Sequence, residues 1–189
     1  MNAAHMEYCA SEDWRKLVHE TILPVALRGV ELGDEAIEIG PGPGFTTDVL
    51  CTRTPHLTAV EIDEGLAAAL TGRHANVDVV LGDAAALDFD DGRFTGAASF
   101  HMLHHIAPPA QQDRVFAELA RVLVPGGVLV AADGVYNEGT AAFHEGDTYN
   151  PIDPDDLPGR LHEAGFGDVD VQVYELGWVC TARARVSSR

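Results

Sequence analysis

The chain has 189 residues, 46% of them hydrophobic and 22% charged, the balance of an ordinary soluble globular protein long enough to bury one sizeable core. Its formal net charge is −18, with Lys16 the single lysine among twelve basic residues. Such a surface repels phosphate backbones and anionic membranes, so neither nucleic acid nor membrane is an expected partner, and a small molecule is.

The three cysteines, Cys9, Cys51 and Cys180, follow neither a zinc spacing nor a disulfide framework. A reducing compartment fits them. No basic region followed by an apolar run marks a leader, and no apolar stretch reaches membrane-spanning length, so the sequence predicts a cytoplasmic protein.

Residues 1 to 10 read either as a frayed terminus or as a segment folding over a site. From Ser11 to Leu27, Trp14, Leu17, Val18, Ile22 and Val25 recur at helical spacing, with Ser11 as N-cap and a kink expected at Pro24. From Glu35 the chain alternates strands and helices. Strands are predicted at Ala36–Ile39, Leu57–Ile62, Val77–Leu81, Thr95–Phe100 and Val128–Ala132, the last entered through a Pro125-Gly126-Gly127 turn. Helices are predicted at Thr46–Thr52, Glu64–Arg73 and Ala110–Leu123. This rhythm predicts a parallel sheet with helices on both faces. A last helix, Pro154–Ala164, precedes two strand-like runs, Val169–Tyr174 and Trp178–Ala184, joined so tightly that they must be antiparallel. One domain is expected over residues 1–189. Within it, 1–33 is a helical cover, 34–135 the binding core, and 136–189 an acceptor-side loop, last helix and closing strand pair.

In an open parallel sheet, ligands lie outside the carboxyl ends of the strands. The first strand runs from Glu38 into Gly40-Pro41-Gly42-Pro43-Gly44 and a helix start, the layout of a nucleotide-binding turn. Phe45 stands where the dinucleotide fingerprint needs its third glycine, which counts against a nicotinamide-dependent oxidoreductase. The second strand ends in Glu61-Ile62, where a carboxylate can accept hydrogen bonds from a ribose diol. The third ends in Gly82-Asp83-Ala84, the fourth in Phe100-His101, and the fifth in Asp133-Gly134.

Taken in order, Glu38-x-Gly40-x-Gly42-x-Gly44, Glu61, Gly82-Asp83 and Arg121-Val122-Leu123-Val124-Pro125-Gly126-Gly127 resemble the motifs of class I S-adenosylmethionine-dependent methyltransferases. The resemblance covers residues 34 to 135. It implies a Rossmann-like, seven-stranded, mostly parallel α/β sheet with helices on both faces and a C-terminal antiparallel strand. It also implies S-adenosyl-L-methionine as cofactor, with S-adenosyl-L-homocysteine as product. By that resemblance Glu38, Gly40, Pro41, Gly42 and Gly44 surround the methionine portion and ribose. Glu61 takes the ribose hydroxyls, Ile62 packs on adenine, Asp83 and Ala84 read the adenine edge, and Phe100 closes the site. A cofactor without pyrophosphate needs close backbone approach rather than a phosphate cradle, and its cationic groups suit acidic strand ends.

Transfer of a methyl group by in-line displacement needs a general base only where the acceptor must lose a proton. His101 reads either as that base or as a residue whose backbone and ring only line the cofactor pocket. His104, Tyr136, His144 and Tyr149 are expected to meet a small-molecule acceptor, beside further candidates His105, Asp133, Glu145 and Asp147. No metal is expected, because ligand geometry does not follow from the adjacent residues His144, Glu145 and Asp147. The alternative function is a cofactor-binding module of the same fold without transfer activity.

Overall fold

The structure, a computed structural model, describes residues 2–185. Seven strands form one sheet in the order β3-β2-β1-β4-β5-β7-β6. They are β1 (Glu35–Ile39), β2 (His56–Glu61), β3 (Val77–Leu81), β4 (Phe94–Phe100), β5 (Leu123–Asp133), β6 (Phe166–Tyr174) and β7 (Gly177–Ala184). The first five are parallel, and β7 lies between β5 and β6, antiparallel to both. The mostly parallel α/β sheet read from the sequence is the observed fold. Strand order reverses between β1 and β4, the switch point where the carboxyl ends open a crevice. Register carries Glu38 opposite Ala59 and Ala98, so the ends of β1, β2 and β4 are level.

Both sheet faces are covered, which is why the central strands read as continuous apolar runs. On one face Ile37, Ile39, Leu129 and Ala131 pack beneath helix α6 (Pro109–Val122, numbered in chain order) and α8 (Leu157–Ala164). On the other, Ala36, Ala98, Val130 and Ala132 pack against Val18, Ile22, Leu23 and Leu27. Residues 18 to 32 are thus a layer of the core. They follow α1 (Ala3–Cys9) and α2 (Glu12–Leu17), the first part of the segment expected as a helical cover.

Three local departures have physical causes. The helix expected over Ser11–Leu27 keeps its Ser11 cap, whose hydroxyl accepts from the Trp14 amide at 3.1 Å, but widens into a π turn at Val18–Ile22 before α3 (Leu23–Ala26). Pro24 brings no N–H and crowds the carbonyl four residues back, and the wider turn relieves that crowding. Between α4 (Thr47–Leu50), α5 (Glu64–Leu70) and the later strands the expected order holds. The second departure is α7 (Glu138–Phe143), inside the stretch expected as a loop, started by Asn137 accepting from the Thr140 amide at 2.8 Å. The third is β5, which begins early at Leu123. Its pairing shifts between Phe94 opposite Leu123 and Gly96 opposite Val128, with Pro125-Gly126-Gly127 bulged out. No helix among the described residues is long and apolar enough to cross a membrane.

Candidate active site

The glycine turn leaves β1 beneath α4. Glu38 is 1% exposed; its Oε2 accepts from the Thr47 hydroxyl at 2.6 Å and its Oε1 from the Thr46 hydroxyl. Burial pushes its carboxyl up to about 7, with the two hydroxyl donors opposing. Glu61, at the end of β2, ties the turn down. Its Oε2 accepts from the Gly42 amide at 3.0 Å, and its Oε1 from the amides of Ile62 at 2.9 Å and Asp63 at 3.0 Å. The π turn contributes His19, whose Nε2 lies 2.7 Å from the Phe45 carbonyl oxygen.

Two of the glycines differ in what they face. Gly40 has φ +65°, and a Cβ there would stand 2.2 Å from Met102 Cγ, so this position is closed by packing. Gly42 has φ +54°, and its Cβ site has nothing within 4 Å. The backbone at Gly42 is therefore bare toward the crevice, where a ligand can approach it. Ile62 is 71% exposed beside it, and Asp83 is exposed at the end of β3, its Oδ1 accepting from the Ala85 amide at 2.8 Å. Ala84 is half-buried against the α6-side core. Phe100, expected to close the site, is 7% exposed and belongs to the core beneath α2 and α3, since its place in β4 shares a face with Val130 and Ala132.

Beyond β4 and β5 lies a half-open cavity of about 460 Å³, lined in part by Tyr8, Trp14, His101, His104, Phe143 and Tyr149. His101 sits at its wall with φ +51°, unusual for a residue with a side chain, its amide donating to the Ala132 carbonyl at 2.8 Å. Its ring meets Trp14 edge-on at 5.2 Å, its Nδ1 lies 3.9 Å from Asp133 Oδ1, and its Nε2 is buried without a partner. His144 and Tyr149 line the same cavity, rings stacked at 4.4 Å. Tyr136, expected to meet an acceptor, is 65% exposed and outside this lining, its ring 6.3 Å from that of Tyr149.

Asp133, 1% exposed at the end of β5, organises the histidines. Its Oδ1 lies 2.6 Å from His104 Nδ1 and accepts from the Gly134 amide at 2.7 Å, and its Oδ2 accepts from the His104 amide at 3.0 Å. Burial opposes its charge, but the His104 ring and these donors prevail and hold its carboxyl down to about 2. Burial likewise works against a charged His104 and is outweighed by Asp133, so that ring is raised, while burial lowers His101 and leaves its imidazole neutral. Burial, with His104 and His5 adjacent, lowers His105 to about 3.

Residues distant in sequence complete the site. His5 of α1 is 4% exposed, its Nδ1 3.2 Å from Asp147 Oδ2 and its ring 4.3 Å from that of His144. The sequence leaves residues 1 to 10 as either a frayed terminus or a segment over a site, and singles out Asp147, but gives no reason to join them.

Similarity to known proteins is concentrated where this geometry lies. Residues 37–131, half of the chain, match the family described as "Methyltransferase domain". A probable S-adenosylmethionine-dependent methyltransferase of Mycobacterium tuberculosis is 30% identical over 144 residues, 71% of this chain and 49% of that protein. A demethylmenaquinone methyltransferase of Renibacterium salmoninarum is 27% identical over 120 residues, 64% of this chain and 47% of that one. Shorter matches, over 57 to 80 residues, are to small-subunit ribosomal RNA methyltransferases. These matches span about half the length of the curated relatives or less. Among solved structures, the PH0226 protein of Pyrococcus horikoshii superposes with a TM-score of 0.78 at 17% identity, over 93% of this chain and 92% of that one, a likeness of fold. With the domain match spanning the glycine turn and both acidic strand ends, the chain belongs to the class I S-adenosylmethionine-dependent methyltransferase family.

Proposed function

We propose that the protein transfers a methyl group to a compact small-molecule acceptor held in the cavity beside His101. The observation that carries this reading is the pairing of two features: a crevice bare at Gly42 and edged by Glu61, and a half-open aromatic pocket beyond β4. S-adenosylmethionine supplies an activated methyl on a sulfonium, already a good leaving group. The residues present fit it. Gly40, Pro41, Gly42 and Gly44 offer backbone, Glu38 and Glu61 offer carboxylates to cationic and hydroxyl groups, and exposed Ile62 offers an apolar shelf. Asp83 and the Ala84 amide are the adenine-reading pair in this proposal.

His101 takes the acceptor's proton. Its Nε2 is buried and unpartnered, and Asp133 Oδ1, 3.9 Å from Nδ1, balances the charge that results. His104, fixed by Asp133 through both its amide and its ring, shapes the cavity with His144 and Tyr149. Orientation supplies much of the acceleration, since holding nucleophile and methyl in line is worth about 7–11 kcal/mol. A cavity of about 460 Å³ suits a molecule of metabolite size, and the net charge of −18 disfavours an RNA acceptor. In this reading the chain acts as one domain, with α1, α2 and residues 136–153 as the acceptor cover.

The test has two parts. S-adenosylhomocysteine should raise the melting temperature and nicotinamide dinucleotides should not; the reverse pattern refutes the family's cofactor here. Methyl-labelled cofactor should then pass label to members of a panel of hydroxyl, amine and carbon-acid metabolites. Tight cofactor binding with no transfer to any member favours the binding module, and label on RNA alone refutes the small-molecule acceptor.

A further inference from the structure

Four histidines gather beside the cavity, and three of them, His5, His104 and His144, line it. His104 and His105 stand in the 3-10 turn after β4, Leu103–His105; His5 comes from α1, and His144 caps the end of α7. One ring nitrogen from each lies within 4.8 Å of the others. Three of the four side chains share a further arrangement. His5 Nδ1 faces Asp147 Oδ2 at 3.2 Å, His104 Nδ1 faces Asp133 Oδ1 at 2.6 Å, and His144 Nδ1 faces the Thr140 carbonyl oxygen at 2.7 Å. In the neutral ring each acceptor favours the proton on Nδ1, and Nε2 is then the nitrogen that carries the lone pair. His104 Nε2, His144 Nε2 and His105 Nδ1 are buried with no hydrogen-bond partner.

Ring stacking alone leaves this arrangement unexplained. A buried polar atom without a partner costs about 1–3 kcal/mol, and native proteins hold few of them. Three such nitrogens in one cluster are accounted for by a shared partner that accepts lone pairs. A proton serves one nitrogen, whereas a metal ion serves all. Imidazoles oriented by a carboxylate or carbonyl on the far ring nitrogen are the usual second layer of a metal centre. Two of the three orienting groups here are carboxylates, Asp147 and Asp133.

We propose that His5, His104, His105 and His144 bind a divalent first-row transition ion of the zinc class. An all-imidazole set suits Zn²⁺, Co²⁺, Ni²⁺ or Cu²⁺ and not Mg²⁺ or Ca²⁺, which require oxygen. Tetrahedral zinc with bonds of about 2.0–2.1 Å sets its nitrogens about 3.4 Å apart, so the rings close inward by rotation when the ion enters. The ion fastens α1 and α7, two parts of the cover, to the turn at the end of β4. This departs from the expectation that no metal is used, and it stands whether or not methyl transfer is the activity.

The experiment reads metal alone. The chain, stripped with a chelator, is titrated with Co²⁺. One equivalent should give the strong visible bands of tetrahedral cobalt, and Zn²⁺ should displace them. His5→Gln and His144→Gln should each weaken binding at least tenfold, whereas His56→Gln and His162→Gln, at exposed positions, should leave it unchanged. X-ray absorption at the zinc edge of the loaded wild-type chain needs no variant and should return at least three imidazole nitrogens. Absence of the cobalt bands, fewer than three imidazoles, or equal weakening by the exposed variants overturns the proposal.

Discussion

Replacing Gly42 by alanine separates what the glycine turn does for folding from what it does for a ligand. Gly42 has φ +54°, and an alanine there incurs about 1–2 kcal/mol of left-handed backbone strain. The stiffer unfolded chain returns about 0.4–1 kcal/mol, so the net loss is near 1 kcal/mol. In a chain of this length that lowers the melting temperature by roughly 2–4 °C. The new methyl meets nothing within 4 Å of its own chain, so the ligand alone feels it as an obstruction. Affinity for S-adenosylhomocysteine should fall at least tenfold, about 1.4 kcal/mol, by calorimetric titration. Gly40→Ala is the contrast. Its Cβ would lie 2.2 Å from Met102 Cγ, and that overlap adds about 1–3 kcal/mol of overpacking to the same backbone strain. Gly42→Ala binding within twofold of wild type, with the small melting shift present, would refute the placement of the cofactor against this turn.

Glu61→Ala leaves the amides of Gly42, Ile62 and Asp63 without their acceptor; it should cost about 1–3 kcal/mol in denaturant unfolding and weaken S-adenosylhomocysteine as well, and unchanged affinity would remove Glu61 from the ligand site. Glu38, raised to about 7 from an ordinary 4.5 by burial, with Thr46 and Thr47 as donors and Asp48 and Glu61 as charged neighbours, binds its proton more tightly folded than unfolded. Its contribution to stability is therefore fully present below pH 4.5 and declines as pH rises to about 7, by up to about 3 kcal/mol. Glu38→Gln should flatten that segment of the stability-against-pH curve, and an unaltered slope would contradict it. His101→Ala should lower kcat while leaving cofactor affinity within twofold; equal losses in both would make His101 a lining residue and no base.

The sheet could be read from the sequence because each strand is short, apolar and punctuated by glycine, proline or acidic residues at its carboxyl end. Glu38, Gly42, Glu61 and Asp83 stand out for the same reason, each lying at or within three residues of a strand's carboxyl end. Which face of β4 Phe100 joins depends on the pleat beside the β5 bulge, a register the sequence does not display. The helix α7 was hidden by small and polar residues whose only signal is Asn137 three positions before Thr140. The histidine cluster was beyond reach for another reason. Residues 5, 104, 105 and 144 are neighbours only after α1 folds across the sheet, and no local period links them. Several histidines in segments predicted to border one cavity were the available hint.

The insertion of β7 between β5 and β6 has a consequence for how the chain is made. Asp133 leaves the ribosome without its partner Trp178, and at about 5–20 residues per second the wait lasts several seconds. Throughout it, β5 presents Val128–Ala132 as a bare apolar edge next to an otherwise finished parallel half. That interval is when a nascent chain is most exposed to mispairing with its neighbours on the same message. A synonymous change that slows translation between codons 134 and 176 should therefore raise the aggregated fraction without altering the stability of the molecules that fold.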